Sequence, residues 1–106
     1  MINNDFIKMI GKINKLHIIR EKIGEEELLA GLAEESAELL QAALKCRRAL
    51  NGTNPTPVDI NTAYKNLQEE MADTFLYAEA VGVDFFAVLE IMDRKINRWC
   101  DRLGVD

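Results

Sequence analysis

Histidine and tryptophan each occur once in this chain, and cysteine and proline twice each. A single histidine, His17, excludes a di-iron bundle of the carboxylate type, which draws a Glu-x-x-His motif from each of two helices. Cys46 and Cys100 both fall on apolar helical faces and read as reduced core residues of a cytoplasmic protein. Basic charge is short as well: 13 Lys and Arg against 18 Asp and Glu leave a net charge of −5. Nucleic-acid binding through phosphate contacts needs the opposite balance, so no nucleic-acid partner is expected. No apolar run approaches the length of a membrane span, and the N-terminus lacks the apolar centre and cleavage site of a signal peptide. Strand-like alternation and internal repeats are missing too. What is present is a helix-forming composition, 48% apolar over 106 residues, which suits one soluble all-α domain covering residues 1–106.

Apolar spacing of three and four predicts four helices. The first covers residues 3–22, with a stripe of Phe6, Met9, Ile10, Ile13, Leu16 and Ile19, and stops at Gly24. The second opens on Glu25, Glu26 and Glu27 at the positive end of its dipole and runs to Leu50, with Arg47 and Arg48 in the last turn. After the loop 52–56, Thr56 reads as an N-cap, Pro57 as the first helical residue and Asp59 as the acid at the third position. The third helix then carries Ile60, Ala63, Tyr64, Leu67, Met71, Phe75 and Ala78 on one face, to Gly82. Asp84 caps the fourth, whose stripe is Phe85, Val88, Leu89, Met92, Ile96, Trp99 and Leu103. That stripe makes Trp99 a core residue rather than a platform for a base. Short connections predict an antiparallel four-helix bundle.

One carboxylate interrupts the pattern. The second helix's stripe runs Leu28, Leu32, Glu35, Leu39, Ala42, Cys46, and a charge facing a core costs several kcal/mol unless it is paired or coordinated. Helical neighbours three apart share a face, which pairs Glu35 with Glu38 and Glu70 with Asp73. Such pairs are common on solvated faces; Glu90 and Asp93 have the same spacing. Position distinguishes the first two pairs: Glu35 lies inside its helix's apolar arc, Glu38 on the border, and Glu70, Asp73 and Tyr77 along one flank of the third helix. Antiparallel packing would bring the four carboxylates together at the rim of the core. There they either take up protons or stay solvated, or they hold a hard divalent cation, for which all-oxygen ligation selects magnesium, or manganese, over zinc.

Glu34-Glu35-Ser36-Ala37-Glu38 followed by Glu70-Met71-Ala72-Asp73 resembles the E-E-x-x-E … E-x-x-D pattern of the MazG-like, all-α nucleoside triphosphate pyrophosphohydrolases. The flanks "LAEESAELLQAALK" and "NLQEEMADTFLYAEAVGVD" are similar too, and the likeness covers about residues 25–103. The resemblance implies magnesium-dependent hydrolysis of a nucleoside triphosphate, often a non-standard or deoxy one, to monophosphate and pyrophosphate. It implies Glu35, Glu38, Glu70 and Asp73 as metal ligands and Glu34, Glu35 and Glu38 as catalytic acids. It further implies Lys45, Tyr77 and Asn97 as substrate contacts, and a homodimer or homotetramer with pockets completed by a partner chain. The chain departs from the family in three places. Asp93 stands where a lysine is expected one turn before Asn97, the loop between the halves is longer than in the shortest members, and no tryptophan occurs in the first two helices. The reading from another class is a non-catalytic helical module that binds a metal or nucleotide, or simply a partner protein.

Overall fold

A computed structural model describes residues 4–55 and 57–105, apart from the side chains at positions 6, 7, 9, 10 and 13. Four helices occupy nearly all of it: α1 (Asn4–Ile23), α2 (Glu25–Asn51), α3 (Ile60–Val81) and α4 (Phe85–Leu103). No strand occurs among the described residues, and no helix is long and apolar enough to cross a membrane. The side chains of most of the apolar stripe of α1 (Phe6, Met9, Ile10, Ile13) are not described, and the expected cap Thr56 lies outside the described residues.

The start of α3 differs from the expectation. Asp59 is itself the N-cap, accepting from the Thr62 amide at 3.2 Å, and Pro57 lies in the preceding coil. Aspartate caps better than threonine, so the helix begins at the stronger of the two signals. Asp84 caps α4 as expected, accepting from the amides of Phe86 at 3.0 Å and Ala87 at 3.2 Å. Between these helices the chain turns at Gly82, where φ is 97° and the Arg20 guanidinium covers the α-carbon so closely that a β-carbon would overlap it. The left-handed backbone calls for glycine, and the flexible guanidinium adds only a contact that it could shift to relieve.

The core is the seam between α2 and α3, with α1 leaning more lightly on both. It is lined by Leu28, Ala42 and Cys46 from α2 and by Ala63 and Ala80 from α3, all buried. The stripe read for α2 is therefore the packed face. The stripe read for α3 packs along one edge only: Ala63 is buried and Ile60, Leu67 and Ala78 are half-buried, together with Glu70, Thr74 and Tyr77, while Tyr64, Met71 and Phe75 are exposed. At about 100° per residue the packed face is rotated from the apolar arc by roughly 65°. Small groups explain the choice. Ala42 and Ala63, and Gly31 under the Tyr77 ring, let the two backbones approach closely.

The expected burial of the α4 stripe, Trp99 included, is corrected in the same way. α4 meets the other helices near its start, where the Phe85 ring stands edge-on to Phe75 at 6.1 Å and 77°. It packs along none of them. Leu89, Met92, Ile96, Trp99 and Leu103 are exposed, Trp99 by 66%.

Candidate functional site

Antiparallel pairing of α2 with α3 sets Gly31 against Tyr77 and Glu35 against Thr74. Thr74 is the tie: its hydroxyl donates to the Glu70 carbonyl one turn back at 2.8 Å and lies 3.4 Å from the Glu35 carbonyl across the seam. The side chains of Glu35 and Glu70 are thereby brought face to face, with Glu38 beside them. The three carboxylates each place an oxygen within 4.8 Å of the others. Glu35 and Glu70 are half-buried and Glu38 is exposed.

Electrostatically this is an unresolved concentration of like charge. Glu35 is pushed above the ordinary value of 4.5, first by burial, then by the adjoining Glu38 carboxylate, with Asp73 and Glu70 adding to it. Glu70 is raised in the same order of causes: burial, Glu38, Asp73 and Glu69. An Oε2 atom of each is shut off from solvent without a hydrogen-bond partner. No cation compensates them, since the ion pair formed among the described residues is Arg20 with Glu25, at 3.5 Å. A buried carboxylate oxygen with neither donor nor cation is costly. The donor set is hard, anionic and all-oxygen, and therefore fits magnesium or manganese.

A cleft of about 600 Å³ opens from these acids along the α2–α3 seam towards the connecting loop. Glu38, Gln41, Lys45 and Arg48 form its α2 wall, and Asn66, Glu69 and Glu70 its α3 wall. Asn54, Pro55 and Val58 close the far end. A cleft this size accommodates a small organic ligand.

The expected site residues divide accordingly. Glu35, Glu38 and Glu70 converge, and Lys45 lines the cleft. Asp73 is exposed and outside the group of three, yet near enough to raise both half-buried acids. Glu34 is exposed on α2. Tyr77 is half-buried with its ring against Gly31, the arrangement of an interface tyrosine. Asn97 is exposed on α4 and does not line the cleft. Thr74, Gln41, Arg48, Asn54 and Asn66 were not anticipated. Gln41, Lys45 and Arg48 follow Glu38 at steps of three, four and three, so the α2 wall could have been read as one face. Asn54 could not, because its place depends on how the loop folds back. Compared with family models, curated proteins and solved structures, the chain matched none.

Proposed function

We propose that this protein is a divalent-cation-dependent nucleoside triphosphate pyrophosphohydrolase, cleaving its substrate to monophosphate and pyrophosphate. The observation that carries the reading is the convergence of Glu35, Glu38 and Glu70, two of them with shielded, unpartnered oxygens, at the mouth of a nucleotide-sized cleft. These three acids would hold magnesium or manganese, with Asp73 at their edge. When bound, the cation supplies charge neutralisation at the phosphate oxygens and makes water more acidic. The chain's own part is positional and protonic. Water adds to the α-phosphorus, the α–β bridging bond breaks with its electron pair leaving on pyrophosphate, and Glu38, which belongs to both cluster and cleft, accepts the proton. Lys45 neutralises phosphate from the α2 wall, and Glu34 supports the cluster from the next position along the helix.

The active form in this proposal is a homodimer or homotetramer. The chain exposes 8,810 Å², against about 6,000 Å² for a compact monomer of its mass. Its radius of gyration is 17.4 Å, where about 13 Å is usual for this length. Burying half the excess surface on each of two copies makes an interface of about 2,800 Å² in total, within the range of obligate homodimers. In such an assembly the exposed Asn97 of one chain, which the resemblance implies as a nucleotide contact, would reach the cleft of the other.

The test is a panel of standard, deoxy and modified nucleoside triphosphates scored by pyrophosphate release with and without magnesium. At least one is expected to be cleaved only with the cation. Glu38→Gln should lower the rate by at least about a hundredfold while leaving the helical circular dichroism unchanged. Magnesium-dependent nucleotide binding without turnover across the panel would replace the hydrolase by the non-catalytic module.

A further inference from the structure

The acids occupy one end of the cleft; the other end has opposite polarity. Lys45 and Arg48 lie about 10 and 15 Å beyond Glu38 along the helix axis. Helical side chains lean towards the N-terminus, which here means back towards the acids. Neither cation has a carboxylate partner among the described residues. Arg48 is held in place: its Nε–H donates to Asn54 Oδ1 at 3.0 Å in a partly buried bond. That bond leaves the four terminal N–H donors of the guanidinium fork for a ligand, a geometry that matches phosphate oxygens.

A helix C-terminus ordinarily repels anions through its free carbonyls. The loop removes much of that obstacle. Asn54 Nδ2 covers the Lys45 carbonyl at 3.3 Å, and the amides of Gly52 and Thr53 both engage the Arg48 carbonyl, the latter at 3.0 Å. The same asparagine thus orients the cation and masks a repelling dipole. An ordinary surface arginine has neither arrangement.

The geometry points to a diphosphate subsite at the loop end of the cleft, in which Lys45 and Arg48, the latter positioned by Asn54, grip the β- and γ-phosphates of the substrate and then the pyrophosphate product. The inference rests on the hydrolase reading for the word substrate, and assigns the orientation: α-phosphate at the acids, phosphate chain running towards the loop. It makes Arg48 a determinant of phosphate-chain length, favouring triphosphates over mono- and diphosphates.

Calorimetric titration of the full chain with magnesium pyrophosphate tests it, with magnesium orthophosphate and magnesium alone as comparisons. Pyrophosphate should bind more tightly than orthophosphate. Arg48→Met should weaken pyrophosphate roughly tenfold to a hundredfold, the range for hydrogen bonds to charged groups, while the response to magnesium alone and the circular dichroism stay unchanged. Arg48→Lys, which keeps the charge, should recover part of the loss. Asn54→Ala should weaken binding less than Arg48→Met and add only a small further loss in an Arg48→Met background, that part due to the uncovered Lys45 carbonyl, the signature of a residue acting mainly by positioning Arg48. Equal binding of pyrophosphate and orthophosphate, indifference to Arg48→Met, or Arg48-dependent binding of a nucleoside lacking phosphates would each overturn the subsite. The two readings separate cleanly. Arg48-dependent pyrophosphate binding in a chain that cleaves no triphosphate keeps the subsite and removes the hydrolase. Triphosphate cleavage whose KM ignores Arg48→Met keeps the hydrolase and removes the subsite.

Discussion

Glu35 and Glu70 are acids surrounded by acids, and their behaviour with pH follows from that. A carboxyl whose pKa is higher in the folded than in the unfolded chain favours the fold most strongly below the unfolded value. It loses that contribution as pH rises through the folded value. Both groups are raised above 4.5, by burial first and by Glu38 next. Without divalent cation, thermal stability should therefore decline as pH rises from about 4.5 through the raised values. Glu70→Gln should flatten that decline. Magnesium should restore stability on the alkaline side and lose its effect on the acid side, where protons compete for the same oxygens. Melting curves across pH, with chelator or with magnesium, check all three; a magnesium effect independent of pH would contradict the cluster's role. Glu35 was legible beforehand because it broke an otherwise apolar stripe. Arg48 was legible only as a cation suited to a helix C-terminus, since its second role depends on Asn54, a residue with no sequence pattern of its own.

Among the elements, helix limits were decided locally and helix faces were not. Capping chemistry acts within three residues, so Asp84 could be assigned from sequence, and Asp59 was misplaced by one turn because two capping residues competed. Asp84→Ala should lower stability by about 1 kcal/mol, read from the denaturant midpoint at unchanged slope. No loss would mean that α4 starts without its cap. The rotation of α3 shows what local pattern misses. Hydropathy places Tyr64, Met71 and Phe75 on the burying face, whereas the side of α3 that meets α2 carries the buried Ala63 and Thr74, whose hydroxyl lies 3.4 Å from the Glu35 carbonyl. Amphipathic arcs identify what must leave water; they do not specify which neighbour removes it.

At the scale of the whole molecule the chain has more apolar surface than it can cover. Leu89, Ile96, Trp99 and Leu103 repeat along one face of α4, each more than half exposed. An exposed stripe of this kind is what the proposed assembly would bury. Light scattering coupled to size exclusion should give a dimer or tetramer at micromolar concentration. Ile96→Lys should shift it towards monomer and lower the melting temperature, because stability and assembly are linked by mass action. A wild-type chain that is monomeric and fully helical at all concentrations would contradict the oligomeric proposal. Monomeric Ile96→Lys protein retaining the Glu35–Glu38–Glu70 cluster would show that the metal centre forms within one chain.

The amino-acid sequence by itself determined the helical composition, the four segments, most of their ends and the oddity of Glu35, because propensity, capping and periodicity operate over a few residues. Tertiary structure alone decided that α3 presents Glu70 and Thr74 rather than its most apolar arc to α2. It also decided that three acids share one point while Asp73 stays outside, and that Asn54 folds back onto Arg48. These outcomes depend on how closely two backbones approach and where a loop returns, quantities set by groups far apart in the chain that no local pattern encodes.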